Sequence, residues 1–369
     1  MGLTAQVHKQ IFEFSFNART SRGAMKDKTS WFIRLTDENG ISGIGECGPL
    51  PGLSPELTPE FETGLEQLIE DLNQKQLPAP VEPDLKSVSE WIDSNLSNRQ
   101  LSSSVRFALE TALLDLANGG GKLIFKNSFT EGVPIPINGL IWMGGLDFML
   151  QQIEIKIRDG FTCIKLKVGS HDFEKECDVL QYIRRKYFRE NITIRLDANG
   201  AFKPEEALDK LNRLARYDIH SIEQPLKPGH EFLPELCRQS PIPIALDEEL
   251  TGVEGKQNKI DLLNHIKPAF IILKPTLHGG LASCAEWIEL AEKSNCGWWI
   301  TSALESNIGL NAIAQFTANY PITLPQGLGT GMIYTNNVEG PLVVNKGKLF
   351  YGNSLNWENF EAKSSSSSG

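Results

Sequence analysis

The pattern of apolar and polar residues changes about a third of the way along the chain. Before about residue 130, stretches such as "TSWFIRLTDENGISGIGE" predict strands with a turn at residues 38–40. Helical stretches follow, and the last of them is clearly amphipathic, with apolar residues at Phe107, Leu109, Ala112, Leu113 and Leu116. Serines at 102–104 precede this helix, and Asn118 with three glycines ends it.

After about residue 134, short apolar strands alternate regularly with helices. The strands are "CIKLKV", "ITIRLDAN", "SIEQPL", "PIPIALDEE", "AFIILKPT" and "WWITSAL". Repeated strand and helix units of this kind predict a parallel sheet covered by helices, either an open doubly wound sheet or a closed barrel.

Polar residues decide between these two architectures. In each strand they share one face, opposite an apolar face, and the outermost polar residue lies near the carboxyl end. These outermost residues are Lys167, Asp197, Glu223, Asp247, Lys274 and Ser302. An open sheet binds its ligand between two strands, whereas a barrel collects side chains from all its strand ends. The sequence therefore predicts an α/β fold, a (β/α) barrel with an α+β capping domain.

Four segments follow from this interpretation. Residues 1–130 are predicted to form the capping domain, 131–325 the barrel, 326–362 a segment that returns to the capping domain, and 363–369 a disordered tail.

Composition narrows the classes of partner. The 369 residues are 40% hydrophobic and carry a formal net charge of −10, which argues against nucleic acid or an anionic membrane. Six cysteines without a C-x-x-C pair indicate neither a zinc site nor a disulfide framework, and they favour a reducing cytoplasm. No apolar run is long enough for a signal core or a membrane span. We expect a small carboxylate as the partner, and the composition is compatible with an oligomer.

The predicted mouth of the barrel suggests a metal site. Asp197, Glu223 and Asp247 would repel one another unless a cation lay between them. Oxygen ligands without histidine or cysteine suit Mg²⁺, or alternatively Mn²⁺. The choice of Asp247 over Glu248 depends on which face of the strand each occupies.

Three lysines flank these acids. Lys165 and Lys167 share the polar face of one strand, and Lys274 comes from a later strand. An ammonium group near another cation has a lowered pKa, so we expect Lys165 to lower the pKa of Lys167 and Lys167 to act as a base. Proton abstraction next to a carboxylate is the reaction class that needs a metal ion and a lysine base together. The enediolate that it forms carries two negative charges, which the metal ion stabilises.

The motifs "KLK", "LDANG", "EQP", "LDEE" and "LKPT", in this order, resemble the muconate-lactonizing subgroup of the enolase superfamily. The resemblance covers essentially the whole chain and implies Asp197, Glu223 and Asp247 as magnesium ligands. It also implies Lys167 as the base and Lys274 as the cation across the substrate ring.

"TSALESNIGLNAIAQ" and "GIGECGPLPGLSPE" are most similar to subgroup members of menaquinone biosynthesis. These dehydrate 2-succinyl-6-hydroxy-2,4-cyclohexadiene-1-carboxylate to o-succinylbenzoate by a syn β-elimination. The resemblance then implies that Lys167 takes the α proton and returns it to the departing hydroxyl, while Lys274 stabilises the enediolate.

Substrate contacts are predicted at three further positions. Ser302 ends a strand but is also suited to cap a helix, and Asn199 follows a predicted metal ligand. Arg22 belongs to a basic loop at residues 17–28 that suits a succinyl carboxylate, although surface solubility explains it equally well. Arg195 is expected to fill the barrel interior, and His278 to be a solvated loop residue.

Other functions fit the same residues. Lysines on both sides of the carbon also suit an N-succinylamino acid racemase or a dipeptide epimerase. "LPQGLGTG", in the expected eighth strand, has no acid to hold the ammonium group of a dipeptide, and a muconate cycloisomerase fits the basic loop poorly. A non-catalytic metal-binding barrel is the alternative from a different class of function. It would not explain why the chain has both the acids and the lysines.

Overall fold

A computed structural model describes residues 2–20, 23–80, 82–169, 172–352 and 356–357. For residues 17–20 and 23–24 it describes the backbone but not the side chains. Arg22 and the predicted tail at 363–369 therefore lie outside the described residues.

The amino-terminal part, called the cap below, combines a meander of three strands, the cap sheet, with three helices. The strands are β1 (Thr4–Thr20), β2 (Gly23–Thr36) and β3 (Ser42–Cys47), and the helices are α1 (Phe61–Lys75), α2 (Leu85–Asn95) and α3 (Ser103–Ala117). Neighbouring strands are antiparallel. The turn between β2 and β3 forms at the predicted place, because Asp37 Oδ1 accepts hydrogen bonds from the N–H groups of Asn39 (2.9 Å) and Ile41 (2.8 Å).

Helix α3 lies directly against β3, and two glycines make this contact possible. A Cβ atom on Gly43 would lie 2.0 Å from the carbonyl oxygen of Ala112, and one on Gly45 would lie 1.9 Å from that of Ala108. The backbones approach so closely that no larger residue fits at either position.

Parallel strands form the central sheet of the second part. After β4 (Ile135–Pro136) come β5 (Gly139–Ile141), β6 (Cys163–Lys167), β7 (Thr193–Asp197), β8 (Ile219–Glu223), β9 (Ile244–Leu246), β10 (Phe270–Leu273) and β11 (Gly297–Ile300). Strands β5 to β11 pair in sequential order. Gln326 forms a parallel bridge to Ile137 before β5, and Gly327 forms one to Thr301 after β11. The two edges are thus joined, and the predicted (β/α) barrel is confirmed.

Helices cover the outside of this barrel. They are α4 (Leu146–Arg158), α5 (Phe173–Lys186), α6 (Pro204–Leu214), α7 (Leu233–Gln239), α8 (Lys256–Ile266), α9 (Gly280–Lys293) and α10 (Asn307–Thr317). Two 3₁₀ turns lie at Ala215–Tyr217 and Glu248–Leu250. The helices pack on the apolar strand faces, where Ile164, Leu166, Ile194, Leu196 and Ile222 are almost completely buried.

The segment after the barrel is divided between two places. Its first part pairs with β1, since Ser15 N donates to Ile333 O (2.8 Å) and Thr335 N donates to Glu13 O (2.9 Å). The hairpin of β12 (Leu342–Asn345) and β13 (Lys348–Tyr351) instead pairs with β4, near the amino-terminal ends of the barrel strands. The hairpin therefore lies on the barrel, whereas Trp357 packs against an apolar cluster that includes Phe12 and Phe32 of the amino-terminal sheet. The limits of the domains stay a prediction.

No helix within the described ranges has the length and apolar character needed to cross a bilayer.

The close contact of β3 with α3 generates a stability prediction. Gly45→Ala should lower the free energy of unfolding by about 3 kcal/mol or more, because the new methyl group collides with backbone. Gly64→Ala is the matched control: Gly64 lies in α1 with no atom near its Cβ position, so alanine should stabilise by about 0.5–1 kcal/mol. Urea unfolding of both variants measures this, and equal effects would contradict the packing.

Candidate active site

Charged side chains from neighbouring strands meet at the carboxyl end of the barrel. The register places Lys167 beside Asp197 and Asp197 beside Glu223, so three successive strands present charges at one level. Asp197 and Glu223 are buried, and the two lysines of β6 are nearly so. The polar faces predicted from strand alternation therefore point into the barrel.

Lys165 and Lys167 neutralise the acids beside them. Lys165 Nζ contacts Glu223 Oε2 and lies 3.1 Å from Asp197 Oδ2. Lys167 Nζ lies 3.3 Å from the same Asp197 oxygen and donates a hydrogen bond to Asn199 Oδ1. Asp197 is thus shared by two ammonium groups, and Asn199 fixes the position of the outer one.

A second ion pair lies across the mouth. Asp247 directly follows β9, and both of its carboxylate oxygens lie 2.6 Å from Lys274 Nζ. The backbone N–H of Lys274 donates to Nδ1 of His278 at 3.1 Å. His278 is buried, not solvated as the sequence suggested, and burial lowers its pKa to about 3. The neutral imidazole ring of His278 therefore accepts this hydrogen bond and helps to position the backbone of Lys274.

The pKa values follow from burial and these contacts. Burial raises the pKa of Glu223 to about 7, although Lys165 opposes the rise. Burial also acts to raise the pKa of Asp197, but the neighbouring lysines outweigh it and the net direction is down. For Lys165 and Lys274 burial disfavours the charge, yet the adjacent carboxylates raise both pKa values. The carboxylates therefore have the larger effect on both lysines, because they are the nearest charges.

The three carboxylates form a donor set of the kind that Mg²⁺ prefers. Glu223 Oε1 is buried and has no hydrogen-bond partner among the residues that the structure describes, so this oxygen is available to a further ligand. Among the described residues, no three acidic, histidine or cysteine side chains are arranged as they would be around an ion. Lysines pair with all three carboxylates, and a bound cation would compete with these lysines. The residue types fit Mg²⁺.

A cavity of about 440 Å³ opens above these charges. The barrel contributes its charged wall, including Lys167, Asp247 and Lys274. The amino-terminal part contributes apolar side chains, among them Leu50 and Leu53. The cavity can therefore hold a small molecule with an anionic end and an apolar body.

The predicted substrate contacts have different outcomes. Ser302 and Asn199 both line the cavity. Ser302 Oγ also accepts hydrogen bonds from Leu304 N (2.9 Å) and Thr330 Oγ1 (2.8 Å), so it shapes its own loop as well. Arg22 lies outside the described residues. The loop "QGLGTG" lines the cavity with Gly327 and Gly329.

Arg195 fills the barrel interior, as predicted. It is fully buried, its guanidinium carbon lies 4.1 Å from the centre of the Trp299 ring, and one nitrogen donates to Pro325 O at 2.8 Å.

Gln224 is a site residue that sequence reasoning missed. It follows Glu223 with a positive φ of 36°, and its side chain is buried. Its Oε1 accepts hydrogen bonds from the backbone N–H groups of Asp247 and Glu249, each at 3.2 Å. Gln224 thereby ties the end of β8 to the end of β9 and positions Asp247. The signal was present in "EQP", where a polar residue stands between an acid and a proline.

Comparisons with known proteins identify the family of the chain. A family model described as "Enolase C-terminal domain-like" matches residues 149–351. The chain belongs to the enolase superfamily.

Several relatives within the superfamily are similar over most of the chain. An o-succinylbenzoate synthase of Desulfotalea psychrophila is 45% identical over 94% of this chain and 99% of the relative. The crystal structure of MenC from the LSv54 strain of that organism superposes with a TM-score of 0.85 at 41% identity, covering 95% of this chain and 100% of the other. A muconate lactonizing enzyme from Pseudomonas fluorescens has a TM-score of 0.81 at 19% identity, covering 97% of each chain, and shows the shared fold.

Removing Lys165 tests the buried ion pairs. In metal-free protein, Lys165→Met should lower the free energy of unfolding by about 3 kcal/mol, because it leaves buried carboxylates without a cation. The loss should be larger at pH 8 than at pH 6. A carboxyl whose folded pKa is raised binds a proton below that pKa, so Glu223 becomes neutral at low pH.

The matched control is Lys186→Met. Lys186 pairs with Glu154 at the surface, with 42% and 47% of the two side chains exposed, so its loss should change stability by less than about 1 kcal/mol. Urea unfolding at both pH values, with a chelator present, measures the difference. Similar losses in both variants would contradict the electrostatic interpretation.

Proposed function

We propose that this enolase-superfamily chain is an o-succinylbenzoate synthase, a hydro-lyase of menaquinone biosynthesis. It dehydrates 2-succinyl-6-hydroxy-2,4-cyclohexadiene-1-carboxylate to o-succinylbenzoate. The observation that carries this proposal is the 45% identity with the Desulfotalea psychrophila o-succinylbenzoate synthase over nearly the full length of both chains. The charged cavity is compatible with such a substrate, which has two carboxylates and an apolar ring.

Lys167 is the proposed base. Its ammonium group lines the cavity and is held by Asn199 and Asp197, so it has a fixed position relative to a bound molecule. In its neutral form Lys167 takes the α proton from carbon, and as an ammonium it returns that proton to the hydroxyl on the same face. The C–O bond then breaks, water leaves and the ring becomes aromatic. Lys165, which pairs with the acids behind it, sets the local charge.

Lys274 is proposed to act from the opposite side. It directly follows β10, three strands beyond β7 in the sheet order, and it lines the same cavity. A fixed ammonium group there stabilises the negative charge that develops when the proton leaves carbon.

Asp197, Glu223 and Asp247 are the proposed ligands of Mg²⁺, with Mn²⁺ as the alternative ion. Their oxygen donors and the unpartnered Glu223 Oε1 support this assignment. When bound, the ion supplies positive charge to the substrate carboxylate and thereby makes the adjacent proton more acidic.

Ser302, Asn199 and Arg22 remain the proposed substrate contacts, with Arg22 suited to the succinyl carboxylate. Leu50, Leu53 and neighbouring cap residues exclude water from the cavity. We also propose a cytoplasmic location, which the six free cysteines support. The partner is a small carboxylate and not nucleic acid or membrane, and an oligomer is compatible with this function.

Racemization of N-succinylamino acids is the second candidate. Lysines on two sides of one cavity can exchange a proton on either face of a carbon. An N-succinylamino acid racemase of Thermus thermophilus is 28% identical over 80% of this chain and 76% of its own length. Dipeptide epimerization is less well supported, because residues 326–331 carry no acid for an ammonium group.

Magnesium addition should stabilise the protein. At a concentration about 100 times its dissociation constant, Mg²⁺ should raise the free energy of unfolding by about 2.7 kcal/mol, because it binds only the folded state. Asp247→Asn should remove most of this gain, and Glu248→Gln should keep it. Thermal unfolding with Mg²⁺ or with a chelator measures the gain. If Glu248→Gln loses the stabilisation by Mg²⁺ and Asp247→Asn keeps it, Glu248 is the ligand. If Mg²⁺ does not stabilise the unsubstituted protein, the proposed metal site is contradicted.

The reaction itself is tested with a panel of substrates. The purified protein with Mg²⁺ should aromatize the cyclohexadiene acid, followed by the ultraviolet absorbance of the product. Lys167→Ala should reduce turnover by about 10³-fold or more while Mg²⁺ still stabilises the fold. Lys186→Ala, which removes an exposed lysine, should leave turnover unchanged.

Deuterium exchange on N-succinylamino acids and dipeptides completes the panel. Fast exchange on an amino-acid derivative with slow or absent aromatization would refute the synthase proposal and favour the racemase.

A further inference from the structure

A buried carboxylate of the cap sheet reaches a helix of the barrel. Glu46 lies in β3 and is completely buried. Its carboxylate accepts hydrogen bonds from the backbone N–H of Ser306, 3.0 Å from each oxygen, and from that of Gly309 at 3.0 Å. The hydroxyl of Ser306 donates to it as well, at 2.6 Å. These donors belong to the cap residue and first turn of α10, where the helix dipole favours a negative charge.

The cap fixes this carboxylate from the other side. Ser30 Oγ donates a hydrogen bond to Glu46 Oε1 at 2.7 Å, and Lys28 Nζ lies 4.0 Å from the same oxygen. The side chains of Lys28 and Ser30 are also buried. The charge of Glu46 is therefore balanced within β2 and β3, while most of its hydrogen-bond donors come from α10.

The loop immediately before α10 forms part of the cavity wall. Ser302, Ala303 and Leu304 line the cavity. Glu305 connects this wall to the neighbouring strand end, since its Oε2 accepts from Ala303 N at 2.8 Å and its Oε1 accepts from Thr276 Oγ1 at 2.5 Å. A shift of the first turn of α10 would therefore be transmitted to the wall.

We propose that Glu46 is a positioning residue that sets substrate affinity by fixing the wall formed by residues 302–304. The cap then contributes to the pocket twice, directly through its own apolar side chains and indirectly by holding α10 in place. The wall formed by residues 302–304 is therefore held in position only when the cap lies against α10. This inference rests on the proposed function, because KM is measured with the proposed reaction.

Glu46→Gln tests this role. Glutamine keeps the shape but loses the charge, and its NH₂ group faces N–H donors of α10. Losing one charge-assisted hydrogen bond in this way should raise KM about tenfold. The value of kcat should change by less than about twofold, because no reacting group has moved. The affinity for Mg²⁺ should be unchanged.

Asp115→Asn is the matched control. Asp115 is another fully buried carboxylate of the amino-terminal part, and it accepts two backbone hydrogen bonds, from Ile44 (3.0 Å) and Lys122 (2.5 Å). The carbonyl of Lys122 accepts hydrogen bonds from Asn311 and Gln315 of α10, so this control perturbs a contact of the same helix beyond its first turn. This variant should lower the melting temperature without raising KM. Equal increases of KM in the two variants, or no increase in Glu46→Gln, would overturn the proposal.

Two further measurements keep the proposal testable. If Glu46→Gln does not fold, Ser306→Ala removes the 2.6 Å hydrogen bond and keeps the backbone donor, and it should raise KM in the same direction; an unchanged KM would overturn the proposal. Hydrogen exchange of the amides from 302 to 309 needs no substrate. It should be faster in Glu46→Gln, or in Ser306→Ala, than in Asp115→Asn even if the protein does not aromatize the cyclohexadiene acid. Absent aromatization would refute only the proposed function. Equal hydrogen-exchange rates in the variant and in Asp115→Asn would refute the role of Glu46.

Discussion

The mouth of the barrel depends on ion pairs between charged side chains that neighbouring strands bring into the protein interior. Moving an ion out of water costs several kcal/mol, and only close contact with an opposite charge offsets this cost. At the barrel mouth Lys165 contacts two carboxylates, and Lys274 lies 2.6 Å from both oxygens of Asp247. The same set of contacts supplies the chemistry, since it concentrates acids and amines around one cavity.

This constraint fixes the register of the strands. Side chains alternate along a strand, so a slip of one residue would turn Lys167 and Asp197 into the apolar layer beneath the helices. In the observed register these two residues are direct neighbours. The apolar residues between them, such as Leu166 and Leu196, are buried against the helices. Hydrophobic packing outside the barrel and ion pairing inside it therefore support the same alignment.

The chain leaves the strands in a strained conformation near the site. Asn199, Gln224 and Leu304 have positive φ angles of 43°, 36° and 63°, which non-glycine residues rarely adopt. Each is held by a hydrogen bond that contributes to the cavity: Asn199 N donates to Asp197, the side chain of Gln224 accepts from Asp247 N, and Leu304 N donates to Ser302. The strain is thus offset by contacts that orient site residues.

The sequence by itself determined which residues lie at the mouth. Strand alternation is a local property of the backbone, so the polar face of "CIKLK" and the positions of Asp197 and Glu223 followed from parity and from the repeated strand and helix units. The hairpin turn after β2 was likewise predictable, because Asp37 makes its hydrogen bonds within the turn itself.

Only the tertiary structure decided which charges pair with which. Lys165 contacts Glu223, 58 residues away, and Glu46 contacts Ser306, 260 residues away. Such contacts depend on how the strands close and on how the cap lies against the barrel, and no local pattern encodes either. The burial of His278 behind Lys274 and the pairing of the last hairpin with β4 were missed for the same reason: neighbours remote in the sequence determine the environment of a side chain.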